Sequence, residues 1–339
     1  MKMERIFAAA FVVLVSTAII GFSAGDTGAS FTGATTNPNQ SWNTQQVLAP
    51  ATFTSATPAP AGQIDLVWPA STSPAGSHTL TYLVLRGPVG GPYAQVGTTA
   101  ALTYSDTPPA DGTYEYVIQT KIAQGAGFFT SGNSPVKSSQ SDRTAPTMSA
   151  TCNGGSCAGW FNTSVTFVVS GNDGTGVGMG TATTNVDGAG AATSMAPRTV
   201  TVSGESATHS VVYSGADAVG NASGNTSQTV MIDLTAPTNA TALSSASGST
   251  SGTVNLTWTA GSDALSGLAG YTIHRTGVVP NCPATTTANY PTTYSAGVVT
   301  STTVGGMTSG SKYCFYITAN DNAGNSSAAS AAAGPTKAK

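Results

Sequence analysis

Residues Gln63–Trp68 read QIDLVW, and residues 253–258 read TVNLTW. In both, apolar and polar side chains alternate and the run closes on a tryptophan, the period-2 signature of a strand with one buried face. A second alternating run follows each. Residues 79–86 read TLTYLVLR and residues 271–275 read YTIHR, so Tyr82 lies 14 residues after Trp68 and Tyr271 lies 13 after Trp258. A third run begins on tyrosine in both copies: TYEYVIQT over 113–120, with Tyr114, Tyr116 and Ile118 on one face, and YCFYIT over 313–318, starting at Tyr313. Two copies of one all-β unit are predicted.

Between the copies the chain keeps a regular beat. Thr-Ala-Pro-Thr occurs at 144–147 and again at 235–238, a spacing of 91 residues, and each copy has an aspartate two residues upstream, Asp142 and Asp233. Proline steers its preceding residue away from helix, so these segments are read as stiff extended joints between modules. Residues between the joints read as short strands and tight turns: Val165–Val169, the DGTGVG turn at 173–178, NVDG at 185–188, TVTVSG at 199–204 and HSVVY at 209–213.

The first and third modules resemble fibronectin type III domains. That resemblance implies a β-sandwich in which Trp68 and Tyr82, like Trp258 and Tyr271, fill the core, while Tyr114 and Tyr313 form the tyrosine corner of the sixth strand. All six are expected as structural core residues. The middle module resembles bacterial Ig-like repeats of the OmpL47 type, which occur in surface and carbohydrate-active proteins. The predicted fold is therefore all-β, three tandem Ig-like or fibronectin type III β-sandwiches after an N-terminal signal segment. The boundaries are 1–29 for the signal, 30–46 for a flexible leader, 47–139 and 235–335 for the fibronectin type III-like modules, and 144–234 for the Ig-like one.

Composition and address agree with that organisation. Only 7% of the 339 residues are charged and the formal net charge is -3, which leaves no basic footprint for nucleic acid. Lys2 and Arg5 precede an apolar run from Ile6 to Phe22 and then small residues to Ala29, the order of a secretory signal; if uncleaved, the same run is the chain's one membrane attachment. Ala29–Thr32 and Thr36–Trp42 look like the start of the mature chain in bacterial exported proteins that include TasA-like fibre subunits.

The four cysteines of an exported chain pair as disulfides. Cys152 and Cys157 enclose a tight loop; Cys314, between core residues Tyr313 and Phe315, faces outward and can meet Cys282 in the long connection after the third strand. Asp217 and Asp321 each open an Asp-x-x-Gly-Asn turn, and Asp173 and Asp263 stand beside Gly-rich turns. Turn capping accounts for each of them separately, and no metal or other cofactor is assigned. His78, His209 and His274 fall in three different modules, and Glu115 and Glu205 are the two glutamates left after signal removal, so neither a nucleophilic triad nor a glycosidase carboxylate pair is assembled. The expected function is non-enzymatic: a secreted or cell-surface protein in adhesion, spacing or polysaccharide association, its ligand an extracellular polysaccharide or surface protein. The alternatives are an accessory component of extracellular polysaccharide degradation and an extracellular fibre subunit.

Overall fold

The computed structural model describes residues 50, 52–72, 79–124 and 127–339. The expected signal segment and leader, and His78, lie outside the described residues. The chain divides into two compact units, Met1–Thr144 and Ala145–Lys339.

The first unit contains β1 (Ser55–Pro58), β2 (Ile64–Val67), β3 (Leu80–Gly87), β4 (Ala94–Thr99), β5 (Thr103–Asp106), β6 (Gly112–Gln124), β7 (Gly127–Thr130) and β8 (Lys137–Ser141). One sheet has the order β1-β2-β5; the other runs β4-β3-β6, with β7 and β8 both pairing along β6. Alternation decides which side chains enter the space between them: Ile64, Leu66 and Trp68 are buried while Asp65 and Val67 are exposed. Phe53, Tyr82, Val84, Tyr116 and Ile118 complete this core.

The second unit carries two cores. Around the first of them lie β9 (Thr147–Cys152), β10 (Trp160–Phe161), β11 (Val165–Asn172), β12 (Met179–Val186), β13 (Ala192–Met195), β14 (Arg198–Val202), β15 (Ser206–Asp217) and β16 (Thr226–Ile232). The sheets are ordered β14-β11-β9 and β10-β16-β15-β12-β13. Their entry strand is split. β9 pairs antiparallel with β11, after which the chain crosses to the opposite sheet, where β10 pairs parallel with β16. The Cys152–Cys157 disulfide, Cα–Cα 4.9 Å, closes the loop that makes this crossing. Phe167 and Tyr213 meet in the core at 5.9 Å between ring centroids.

The last core is enclosed by β17 (Thr241–Ser247), β18 (Val254–Thr259), β19 (Leu268–Arg275), β20 (Thr292–Ala296), β21 (Ser301–Val304), β22 (Lys312–Asp321) and β23 (Ala333–Lys337). Its sheets, β17-β18-β21 and β20-β19-β22-β23, repeat the strand order of the first unit. Because β18 and β22 run in the same sense and β17 runs against β18, the chain enters this sandwich at the pole where β18 and β22 end. That shared pole gathers three segments far apart in sequence.

Candidate functional site

The aromatic residues singled out in the sequence sit as follows. Trp68 meets Tyr82 edge-on at 5.7 Å and Trp258 meets Tyr271 edge-on at 5.3 Å, and all four are buried. Each tyrosine hydroxyl accepts a hydrogen bond from a backbone N–H just beyond its partner tryptophan: Ser71 N to Tyr82 Oη at 3.0 Å and Gly261 N to Tyr271 Oη at 3.1 Å. A buried phenol must find such a partner, and the loop after the tryptophan supplies it. Tyr313 is buried, its hydroxyl accepting from Thr308 N at 3.0 Å. Tyr114 is only partly buried, at the rim of its core, where its hydroxyl donates to Ala110 O at 3.1 Å.

Cys152 is bonded to Cys157 and Cys282 to Cys314. Cys314 points away from the main core, as its alternation demands, and meets Cys282 there, fully buried. The connection from Thr276 to Tyr290 folds over that face, so Cys314, Tyr290 and Tyr316 form a second small core with Val279 and Cys282. His274 stacks on Tyr316 at 4.3 Å and 10°, and burial pushes its pKa down.

The remaining titratable side chains of interest are committed to structural contacts. In the first unit Asp106 Oδ2 accepts from both Arg86 Nη1 and the buried Tyr116 hydroxyl at 2.8 Å, and burial, aided by that bond, pushes the Tyr116 phenol up. Glu115 accepts from Tyr93 Oη at 2.7 Å and Gly90 N at 2.9 Å. His209 Nδ1 lies 2.7 Å from Asp187 Oδ2, and its Nε2 lies 3.0 Å from Gly204 O. Both partners are acceptors, so both ring nitrogens are best satisfied as donors. Burial opposes that charge, but the two hydrogen bonds outweigh it and the His209 pKa is raised.

The aspartates form the most unusual feature. Asp217 Oδ1 accepts from the N–H groups of Val219, Gly220 and Asn221 at 2.9, 2.6 and 2.9 Å; Asp321 Oδ1 accepts from Gly324 and Asn325 N at 2.7 Å each. Gly220 and Gly324 both stand at φ 97°, a conformation glycine adopts without strain. These turns are thus capped by their own aspartates. Turn capping is not all that Asp321 does, however. At the pole of the last sandwich, carboxylate oxygens of Asp233, Asp263 and Asp321 lie within 4.8 Å of one another. Asp233 leaves β16 and enters from the preceding sandwich, Asp263 lies between β18 and β19, and Asp321 ends β22.

The surroundings hold that cluster in place. Ser266 N donates to Asp233 Oδ2 at 3.0 Å, Gly267 and Leu265 N donate to Asp263 Oδ1 at 2.6 and 3.1 Å, and Asn325 Nδ2 bridges Asp321 Oδ2 at 2.8 Å and Asp233 O at 2.9 Å. Asp233 is fully buried; desolvation raises its pKa, but the nearby Ser266 hydroxyl and hydrogen bonds from the backbone N–H groups of Ser266 and Thr235 outweigh this and keep it low, hence ionised. Among the described residues no lysine, arginine or histidine makes an ion pair with any of the three. At an effective dielectric of about 20, each pair of unit charges ~4.8 Å apart repels by about 3.5 kcal/mol. Glu205, with Asp233, Thr235, Asp263, Ala264 and Leu265, lines an adjoining pocket of about 260 Å3.

Sequence reading treated each of these aspartates alone and missed their convergence. A signal was present: one aspartate before Thr-Ala-Pro-Thr, one beside a Gly-rich turn and one opening Asp-x-x-Gly-Asn recur in that order as Asp142, Asp173, Asp217 and as Asp233, Asp263, Asp321. Within the second unit, Asp173 and Asp217 also bring carboxylate oxygens within 4.8 Å of each other.

No protein-family profile matches the chain, and no curated protein sequence matches it. Among solved structures it is similar to the chicken CNTN1 FN1-FN3 domains, at 13% identity over 82% of this chain and 97% of that one, with a TM-score of 0.38. It is similar to domains A168-A170 from titin at 14% identity over 85% and 98%, TM-score 0.37. A third likeness is to an Fn3-like protein from Clostridium thermocellum, at 29% identity over 31% of this chain and 96% of that one, TM-score 0.23. The neighbours of this chain are fibronectin type III and Ig-like domain proteins.

Proposed function

We propose that the chain is an exported, non-enzymatic modular protein of three β-sandwiches, bounded at 47–139, 144–234 and 235–335, that holds or presents itself outside the cell in adhesion, spacing or polysaccharide association. The observation that carries this reading is that, among the described residues, the histidines, the cysteines and the two glutamates are held in structural contacts. Both described histidines are locked into a carboxylate pair or a buried stack, the four cysteines are in disulfides, and Glu115 and Glu205 each accept a backbone N–H. Two disulfides suit an oxidising, extracellular compartment. An OmpL47-type character for the middle module, with its split entry strand, belongs to the same proposal.

One observation favours adhesion over inert spacing. β7 carries Phe128 and Phe129, 59% and 57% exposed and on opposite faces of the strand, with Lys121 Nζ 4.1 Å from the Phe128 ring centroid. An exposed aromatic on each face of a short outer strand offers a contact for a sugar or another protein. The purified mature chain applied to a glycan array is expected to bind through this strand, with signal lost in the Phe128→Ala, Phe129→Ala double variant. Absence of binding leaves spacing as the role, and turnover of a polysaccharide, ester or peptide that survives rigorous purification overturns the non-enzymatic reading.

A further inference from the structure

We propose that Asp233, Asp263 and Asp321 hold one calcium ion at the joint between the last two sandwiches. The donor set is all oxygen and contains no imidazole or thiolate, which selects a hard cation. Calcium binds oxygens at about 2.4 Å, so ligands across one ion stand roughly 4.8 Å apart, and the carboxylate oxygens lie within 4.8 Å of one another. Magnesium needs a tighter octahedron and gives up its water reluctantly.

A second observation points the same way. Ser266 is 9% exposed, and its hydroxyl faces the Asp233 carboxylate yet makes no hydrogen bond of acceptable geometry with it or with any other described group. A buried hydroxyl beside a carboxylate cluster, with its lone pairs unused, is a neutral oxygen ligand waiting on a cation. Three carboxylates and this hydroxyl supply four or more of the 6–8 oxygens calcium takes, and water from the adjoining pocket completes the shell. The ion neutralises charge that no ion pair among the described residues offsets.

Its mechanical effect follows from where the ligands come from. Asp233 belongs to the segment entering from the preceding sandwich, whereas Asp263 and Asp321 belong to two loops at the pole of the next. Binding therefore fastens the Thr235–Thr238 joint, and the two sandwiches are stiffened against each other when calcium is abundant, as it is outside cells.

Calorimetric titration of the calcium-stripped full chain with calcium chloride tests this. Because Asp142, Asp173 and Asp217 recur in the preceding repeat, wild type is titrated beside Asp263→Asn, and the difference isolates this site. Asparagine keeps the Oδ1 acceptor that Leu265 and Gly267 use, so the loop is retained. One equivalent of calcium is expected to be lost, or weakened at least tenfold, in Asp263→Asn, and Ser266→Ala to weaken it several-fold. Calcium is also expected to raise the unfolding midpoint of wild type over that in EGTA, and to slow proteolytic cleavage between 234 and 239. Identical titrations of wild type and Asp263→Asn, millimolar calcium that gives neither heat nor a rise in the unfolding midpoint, or equal binding of magnesium overturns the assignment.

Discussion

The first and last sandwiches share a skeleton and differ in what is laid over it. Both order their strands the same way, both set a tryptophan edge-on to a tyrosine, and both anchor that tyrosine hydroxyl on a backbone N–H beyond the tryptophan. Even the start of the final strand is handled alike. Ser134 and Ser131 hydroxyls accept from Ile118 and Thr120 N at 2.9 Å, and Ser330 and Ser327 accept from Ile317 and Ala319 N at 3.0 and 2.9 Å. The outer faces are unlike: the first carries the exposed aromatic strand β7, the last a disulfide-clamped cover over Tyr290, Cys314 and Tyr316. Packing inside a sandwich constrains both faces of its core at once, whereas the outer face answers only to solvent or a partner, and so it is there that two copies of one fold diverge.

That equivalence can be broken most sharply at the tryptophans. Trp68→Ala and Trp258→Ala are each expected to cost about 3–5 kcal/mol, because a buried indole leaves a cavity its neighbours cannot close. Urea unfolding followed by hydrogen exchange should show each change loosening its own sandwich; one of the two proving neutral would separate the cores that look alike.

The disulfides should give the next largest effect, and an asymmetric one. Removing the Cys282–Cys314 bond, whose ends are 32 residues apart, is expected to cost the last sandwich about 3–4 kcal/mol by chain entropy, while the first sandwich has no counterpart to lose. The Cys152–Cys157 bond closes only 5 residues and is worth about 2 kcal/mol on the same reckoning. Melting curves with and without reductant on the paired Cys→Ala variants read both numbers.

Tyr116→Phe makes the first sandwich resemble the last, where the equivalent position, two residues after the corner tyrosine, is already Phe315. Asp106 then keeps Arg86 but loses a buried donor, for an expected loss of about 1–2 kcal/mol. A stability unchanged within error would mean that water replaces the hydroxyl.

The smallest effect belongs to the middle sandwich and to pH. The His209 pKa is raised on folding, so its contribution is complete below the unfolded histidine value of about 6.5 and is lost as pH rises through the folded one. The Asp187 pKa is lowered, through its bonds from His209 and from Ser210 N, so its contribution is present above about 3.9 and is lost as pH falls. Stability of this sandwich should therefore be greatest between about pH 4 and 6.5. Asp187 is partly exposed, and the pair is worth less than about 1 kcal/mol, the amount by which Asp187→Asn should flatten the profile.

What the amino-acid sequence determined by itself was everything local or repeated. A period-2 alternation declares which side of a strand is buried without reference to any partner, so QIDLVW and TVNLTW announce their tryptophans as core, and the recurrence of Trp and Tyr at nearly the same spacing, with a second Tyr-led strand after each, announces the same sandwich twice. The Asp-x-x-Gly-Asn turns were legible for the same reason, since carboxylate, glycine and amide act within five residues. Tertiary structure alone decided where separate segments meet. Cys314 alternates away from the core toward Cys282, which the sequence could say, but that the connection carrying Cys282 also covers Tyr290 and Tyr316 to make a second small core is encoded in no strand periodicity. Asp233, Asp263 and Asp321 are three unremarkable turn residues along the chain; they become a charge cluster because antiparallel pairing brings the entry of β17 and the ends of β18 and β22 to one pole.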